Sequence, residues 1–178
     1  MYTTHDVVGS GDVELPSDEI HTRAATIVFS DKRIWGHPHL EKKSMNSHLI
    51  IESLTYLFRN ISPVFLMCDH GDIGVYGKTF DSQFKSPVIY VFDVVPGGVG
   101  IAVGFIEKQE VILQACYRAV LSCICEYGCP SCIGPSYGKI PRGGKTAVID
   151  FLFSWIELMN LDSNGFSLDN SSKSNTVY

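Results

Sequence analysis

Between positions 123 and 132 the chain reads CICEYGCPSC, which places four of its six cysteines in ten residues with the spacing C-x-C-x3-C-x2-C. Four thiols this close restrict what the surrounding chain can fold into. Zinc takes four soft or borderline ligands in a tetrahedron, and four thiolates satisfy it. In GCPSC, Pro130 stiffens the turn while Cys129 and Cys132 point inward, and Cys123 with Cys125 forms the second pair after a helix. A shell filled by four cysteines leaves no position for water or substrate, so the expected role is structural. A redox pair at Cys129 and Cys132 lacks the strand-then-helix setting of thioredoxin-like sites. An iron–sulfur centre is the open alternative, since four thiolates alone do not exclude it. The zinc site would carry a formal charge of about −2, which nearby cations would offset. Lys139, Arg142 and Lys145 follow in the next loop. Cys68 and Cys116 read as core residues.

The redox setting supports a metal over disulfides. The polar N-terminus has no secretory pattern. The most apolar stretch, 87–106, is broken by Asp93 and by Pro96, Gly97 and Gly98, so no bilayer span is expected there. A reducing cytoplasmic location is the expectation, and there clustered cysteines bind metal more often than they oxidise. The length of 178 residues suits one domain with a sizeable core, and the net charge of −5 excludes a global basic field for nucleic acid.

Periodicity organises the rest. Residues 1–23 read as an N-terminal linker, 24–30 as a strand and 31–43 as a charged connection. Helical spacing of Ile50, Leu54, Leu57, Phe58 and Ile61 predicts a helix over 44–61 that Pro63 ends. A short buried strand is expected at 64–68, a loop at 69–86 and a clear strand at 87–93. A glycine turn at 94–100 leads to a helix over 106–122, and after the cysteines a last helix covers 145–160. Residues 161–178, rich in Ser and Asn, read as a disordered tail. The expected fold is α/β (α+β): a single compact domain over 24–160, with short strands, about three helices and a structural four-cysteine zinc site.

Other motifs carry weaker signals. PRGGKTA (141–147) resembles the end of a phosphate-binding loop, but Lys139 stands where the first glycine is required. The glycines of 97–104 fall as G-x-G-x3-G, which reads as a tight turn and not a dinucleotide fingerprint. Asp69, His70, Asp72 and Asp93 lie at predicted strand ends, where carboxylates can bind magnesium and cut phosphodiesters; Asp-Gly is also ordinary turn chemistry. His48, one turn before Glu52 on a mainly apolar helix, reads as either a polar core residue or a helix-face contact, with metal binding the third alternative, and His37 and His39 as exposed loop residues.

The order of these segments resembles a known family. HLIIESLTYLFRNISPVFLMCDHGDIG (48–74), IYVFDVVPGGVGIA (89–102), CICEYGCPSC and a lysine opening the last helix are similar to the MrfA-like zinc-binding domain. That domain closes a family of superfamily 2 DEAD/DEAH-box helicases implicated in DNA repair, with relatives in the DISARM phage-defence system. The resemblance covers about residues 2–160. It implies that Cys123, Cys125, Cys129 and Cys132 bind zinc. Asp93, Pro96, Gly97, Gly98 and Gly100 match its Asp-x-x-Pro-Gly-Gly-x-Gly turn, and Asp69 and Asp72 match its acidic loop. The usual asparagine-rich run before the lysine is missing, and no complete Walker A, DEAH box or pair of RecA-like lobes is present. The resemblance therefore implies an accessory module of a DNA-repair or defence helicase, not an enzyme on this chain alone. It would brace a motor in the same polypeptide or a separate chain. Lys139, Arg142 and Lys145 are the candidate DNA phosphate contacts. Two other readings are a metal-dependent nuclease using Asp69, Asp72 and Asp93, and a pure protein-interaction module.

Overall fold

The computed structural model describes residues 19, 21–31, 34–35, 43–135, 140 and 142–165, with side chains placed outside 43–46 and 161–165. The elements run β1 (Ala24–Val28), α1 (Lys43–Leu66), β2 (Ile73–Asp81), β3 (Ser86–Asp93), α2 (Ile101–Glu107), α3 (Gln109–Ser122), α4 (Pro130–Ile133) and α5 (Gly144–Gly165). The strands form an antiparallel sheet in the order β1-β3-β2. Alternation along the strands sends Ala25, Ile73, Ile89 and Val91 into the core, where Ile50, Leu54, Leu57 and Phe58 of α1 meet them. Each fully buried side chain of this size contributes roughly 1.5–3 kcal/mol relative to exposure. By length and composition the window Ser47–Leu66 of α1 would pass for a bilayer span, but 50% of it is buried inside the domain.

Two expectations on the first half are corrected. α1 does not end at Pro63 but continues to Leu66, and no strand forms at 64–68. Pro63 has no N–H to give the Arg59 carbonyl four residues earlier. His70 takes that place, with its Nδ1 3.3 Å from Arg59 O. The helix stops instead at Met67, whose φ is 54°, and Cys68 follows in the turn. The expected loop at 69–86 contains β2 and its hairpin to β3. Gly77, within the span expected as loop, is a close-approach residue inside the strand. A Cβ there would sit 2.4 Å from Thr55 Oγ1 and 2.7 Å from Ile51 Cγ2 on α1.

Among the described residues there are five helices where about three were expected, and the difference arises in the second half. α2 precedes the helix expected over 106–122, separated from it at Lys108, and the cysteine knuckle itself forms the single turn α4. The buried Asp93 holds the start of α2 by accepting the Ile101 N–H on Oδ1 at 2.8 Å. α5 starts at Gly144 and runs to Gly165, five residues beyond its expected end. The expected tail beyond 165 and the linker before Glu19 lie outside the described residues, as do His37 and His39. Phe151 and Trp155 of α5 join Phe29 in edge-to-face ring contacts with centroids 5.6 and 5.0 Å apart. These contacts fix the helix that follows the cysteines against the sheet.

Candidate metal centre

α3 ends as the backbone turns extended at Cys123 (φ −67°, ψ 132°). Successive side chains of an extended segment point to opposite sides. Cys123 and Cys125 therefore share one side, and Ile124 on the other is fully exposed. The chain reverses at Gly128, whose φ of 118° disfavours an L side chain, and an added Cβ would lie 2.3 Å from Ile133 Cδ1. Cys129 then caps α4, with Pro130 in the first turn, where its missing N–H costs nothing. The two thiols of this turn cap each other's backbone: the Cys132 N–H donates to the Cys129 sulfur, and the Cys129 N–H donates to Cys132 Sγ at 3.4 Å.

All four Sγ atoms lie within 4.8 Å of one another. Cys123 is 3.6 Å from both Cys125 and Cys129, Cys125 is 3.5 Å from Cys132, and Cys129 is 3.7 Å from Cys132. A zinc–sulfur bond of about 2.3 Å gives a tetrahedron with edges of about 3.8 Å, so the four sulfurs fit one zinc ion. These separations are far too long for disulfides, and all six cysteines are free thiols. They are also too short to enclose several irons with bridging sulfides. Among the described residues this is the one group of His, Cys, Asp or Glu side chains gathered tightly enough to hold a metal.

Before metal enters, the thiols are not equivalent. N–H groups of Ser131 and Cys132, together with the Cys123 thiol, pull Cys129 down to about 6. Burial pushes Cys132 up to about 12 and also raises Cys125. Cys129 is thus the sulfur most ready to bind as thiolate, and zinc displaces protons from the others. Cys132 and Ile133 are buried in the main core, which ties the site to the packing of the domain. Cys116, expected in the core, is fully buried on α3, and its thiol is pushed up to about 12 by that burial.

Lys145 lies beside the cysteine loop. Its residue is only 9% exposed. The ammonium donates to the Cys123 carbonyl at 2.5 Å and to the Cys125 carbonyl at 3.0 Å. Its backbone N–H donates to Tyr127 O at 2.9 Å. The PRGGKTA segment thus docks the start of α5 beneath the cysteine loop, and Gly144 permits the approach: a Cβ there would meet Ile140 at 2.9 Å and Leu49 at 3.1 Å. Of the candidate phosphate contacts, Lys145 has its ammonium hydrogen-bonded within the protein. Arg142 is exposed and lies over the Tyr127 ring at 5.9 Å. Lys139 lies outside the described residues.

The acidic positions do not form a second centre among the described residues. Asp93 is buried with Oδ1 on the Ile101 N–H of α2 and Oδ2 without a hydrogen-bond partner, while Asp72 Oδ2 accepts the Asp69 N–H at 3.2 Å within an exposed turn. His48 pairs with Glu52 at 3.2 Å on the surface of α1, as expected of a helix-face contact. One organising residue had no signal in the sequence. Asp81, 5% exposed, accepts N–H groups of Gln83 and Phe84 on Oδ1, and Tyr90 OH and the Lys78 ammonium on Oδ2.

Comparison with known proteins follows this geometry. Residues 54–133 match the MrfA Zn-binding domain. The chain is 34% identical over 134 residues to "Uncharacterized ATP-dependent helicase YprA" of Bacillus subtilis, covering 74% of this chain and 17% of that protein. It is 36% identical over 76 residues to "Uncharacterized protein MJ1572.1" of Methanocaldococcus jannaschii, covering 41% of this chain and 68% of that protein. Crystal structures of DUF1998 helicase MrfA, one bound to DNA and one bound to DNA and AMPPNP, match at TM-scores of 0.67 and 0.62. Sequence identities are 27% and 28%, over 86% and 85% of this chain but only 19% and 18% of the helicase chains. The match over 54–133 spans the four clustered cysteines, and the chain belongs to the MrfA Zn-binding domain family.

Proposed function

We propose that Cys123, Cys125, Cys129 and Cys132 hold one structural zinc ion, and that the domain serves as an accessory module of a DNA-repair or defence helicase in the cytoplasm. The observation that carries this is the closed tetrahedron of four sulfurs, built where a helicase-family zinc domain matches. A closed thiolate shell has no site for substrate, so the ion stabilises shape and does no chemistry. The module braces the motor and helps hold DNA, and the work of ATP hydrolysis and strand separation belongs to the motor. Arg142, exposed beside the metal loop, and Lys139 are the phosphate contacts this reading retains. An acidic chain gives a weak contact alone, so DNA affinity comes from module and motor together.

The test adds the purified zinc-loaded chain to the motor portion of an MrfA-like helicase and reads binding to fluorescent single-stranded and duplex DNA at about 50 and 200 mM salt. The expected result is a stable complex that binds DNA more tightly than the motor alone, with part of the gain lost in Arg142→Ala. Complex formation with no gain in DNA binding would favour the pure protein-interaction reading. No complex and no DNA contact would sink the proposal.

A further inference from the structure

We infer that Lys145 is the dedicated counter-cation and latch of the metal centre: a positioning residue that holds the Cys123–Cys125 half of the ligand set. The inference rests on the zinc reading above and starts from an asymmetry between the two cysteine pairs. Cys129 and Cys132 are held by their own turn, each sulfur accepting a backbone N–H inside α4. Cys123 and Cys125 lie after α3 and outside α4; the Cys125 sulfur takes the Gly128 N–H from the loop, while the peptide units that carry the pair belong to no helix. The ammonium of Lys145 supplies the missing frame by binding both of their carbonyls, so the two peptide units cannot rotate without breaking a charge-assisted bond.

Charge supports the same assignment. A buried ammonium is costly unless an opposite charge lies near it. Among the described residues no carboxylate forms an ion pair with Lys145; the pairs present join His48 to Glu52 and Lys78 to Asp81. Its direct partners are two neutral carbonyls, both belonging to cysteines of the metal set. Four thiolates around a divalent zinc leave about two negative charges there, and that centre is the anion the buried ammonium lacks. The backbone adds to this, since α5 presents its N-terminal, partially positive end to the cysteine loop through the Lys145 N–H on Tyr127 O. The segment that imitates a phosphate-binding loop in sequence thus applies the same elements, glycines and a lysine at a helix start, to a metal–thiolate anion.

The test compares the 178-residue chain with Lys145→Met, Lys145→Gln and Lys145→Arg, each loaded with zinc and titrated against a chromophoric chelator. The cobalt(II) forms are compared by visible absorption, and folding is checked by near-UV circular dichroism. Outer residues that orient metal ligands cost about 10–100-fold in affinity when removed. Lys145→Met is expected to weaken zinc by that factor and to perturb the cobalt ligand-field bands. Lys145→Gln, a donor without charge, is expected to weaken zinc nearly as much, and Lys145→Arg to recover most of the loss. Leu152→Ala in α5 is the structural control, and is expected to lower stability without changing the cobalt spectrum.

The inference is overturned if folded Lys145→Met holds zinc within twofold of the parent. It is equally overturned if Gln fully replaces lysine, or if Leu152→Ala weakens zinc as much as Lys145→Met does. Should Lys145→Met fail to fold, the Gln and Arg pair decides by the same criteria. A parent chain that holds no zinc would instead refute the metal reading itself, so the two failures are distinguishable.

Discussion

At the scale of single residues, the cysteines divide by environment. Cys123, Cys125, Cys129 and Cys132 converge on one point, while Cys116 is enclosed by the apolar core. Cys129→Ser or Cys132→Ser is therefore expected to abolish stoichiometric zinc binding, read by metal analysis of the purified chain. Cys116→Ser should keep the metal and lose about 1–3 kcal/mol of stability in urea unfolding, because it buries a hydroxyl among apolar neighbours. The cysteine set was legible in the sequence because ligand spacing is a local pattern. The role of Lys145 was not, since it depends on where a helix beginning some 20 residues beyond Cys123 and Cys125 returns in space. Sequence proximity offered Lys145 as either a charge partner of the metal or a DNA contact, and its burial supports the first.

At the scale of elements, strands with uninterrupted apolar runs such as β3 were legible and β2 was not. Its core-facing Ile73 and Val75 are interleaved with Gly74, Tyr76, Gly77 and Lys78, which locally read as loop. Gly77 is small because α1 crosses closely there. Gly77→Val should force α1 from β2 and destabilise the domain by about 1–3 kcal/mol or more, measured by thermal or urea unfolding. The β2–β3 hairpin has its own pH dependence through Asp81. Burial alone would raise this carboxyl, but the Gln83 N–H, the Tyr90 hydroxyl and the Lys78 ammonium hold it below the usual range. A lowered native value contributes stability that is full above the unfolded value of about 3.9 and is lost as pH falls through the native one. Protection of β2 amides, corrected for the pH dependence of intrinsic exchange, should therefore fall below about pH 4 in the parent. Asp81→Asn should show less protection at pH 7 and a flatter acid response. The extent of α1 was misread for a related reason: the gap left by Pro63 is filled by His70, across a turn that local propensity does not describe.

At the scale of the whole molecule, one core runs from the sheet through α1, α2 and α3 to α5, and the cysteine loop joins α3 to α5 at its margin. Phe58, fully buried, stacks edge-to-face with Phe105 at 5.2 Å. Phe58→Ala should cost about 3–5 kcal/mol in urea unfolding while leaving zinc stoichiometry unchanged. The mixed α and β class was legible from periodicity, while the antiparallel pairing of the strands came only with the structure. The partition of the 94–122 region into two helices was not, because the glycines that brake helix propensity there are offset by Asp93, which pins the first turn of α2 from another element. The central claim is that this architecture is closed by a single structural zinc. The most direct measurement is elemental analysis of the folded, purified chain. About one zinc per chain is predicted, lost in a variant with all four clustered cysteines changed to serine, which should unfold at markedly lower temperature. A parent chain that is folded without zinc, or a four-serine variant that melts where the parent does, would contradict the account.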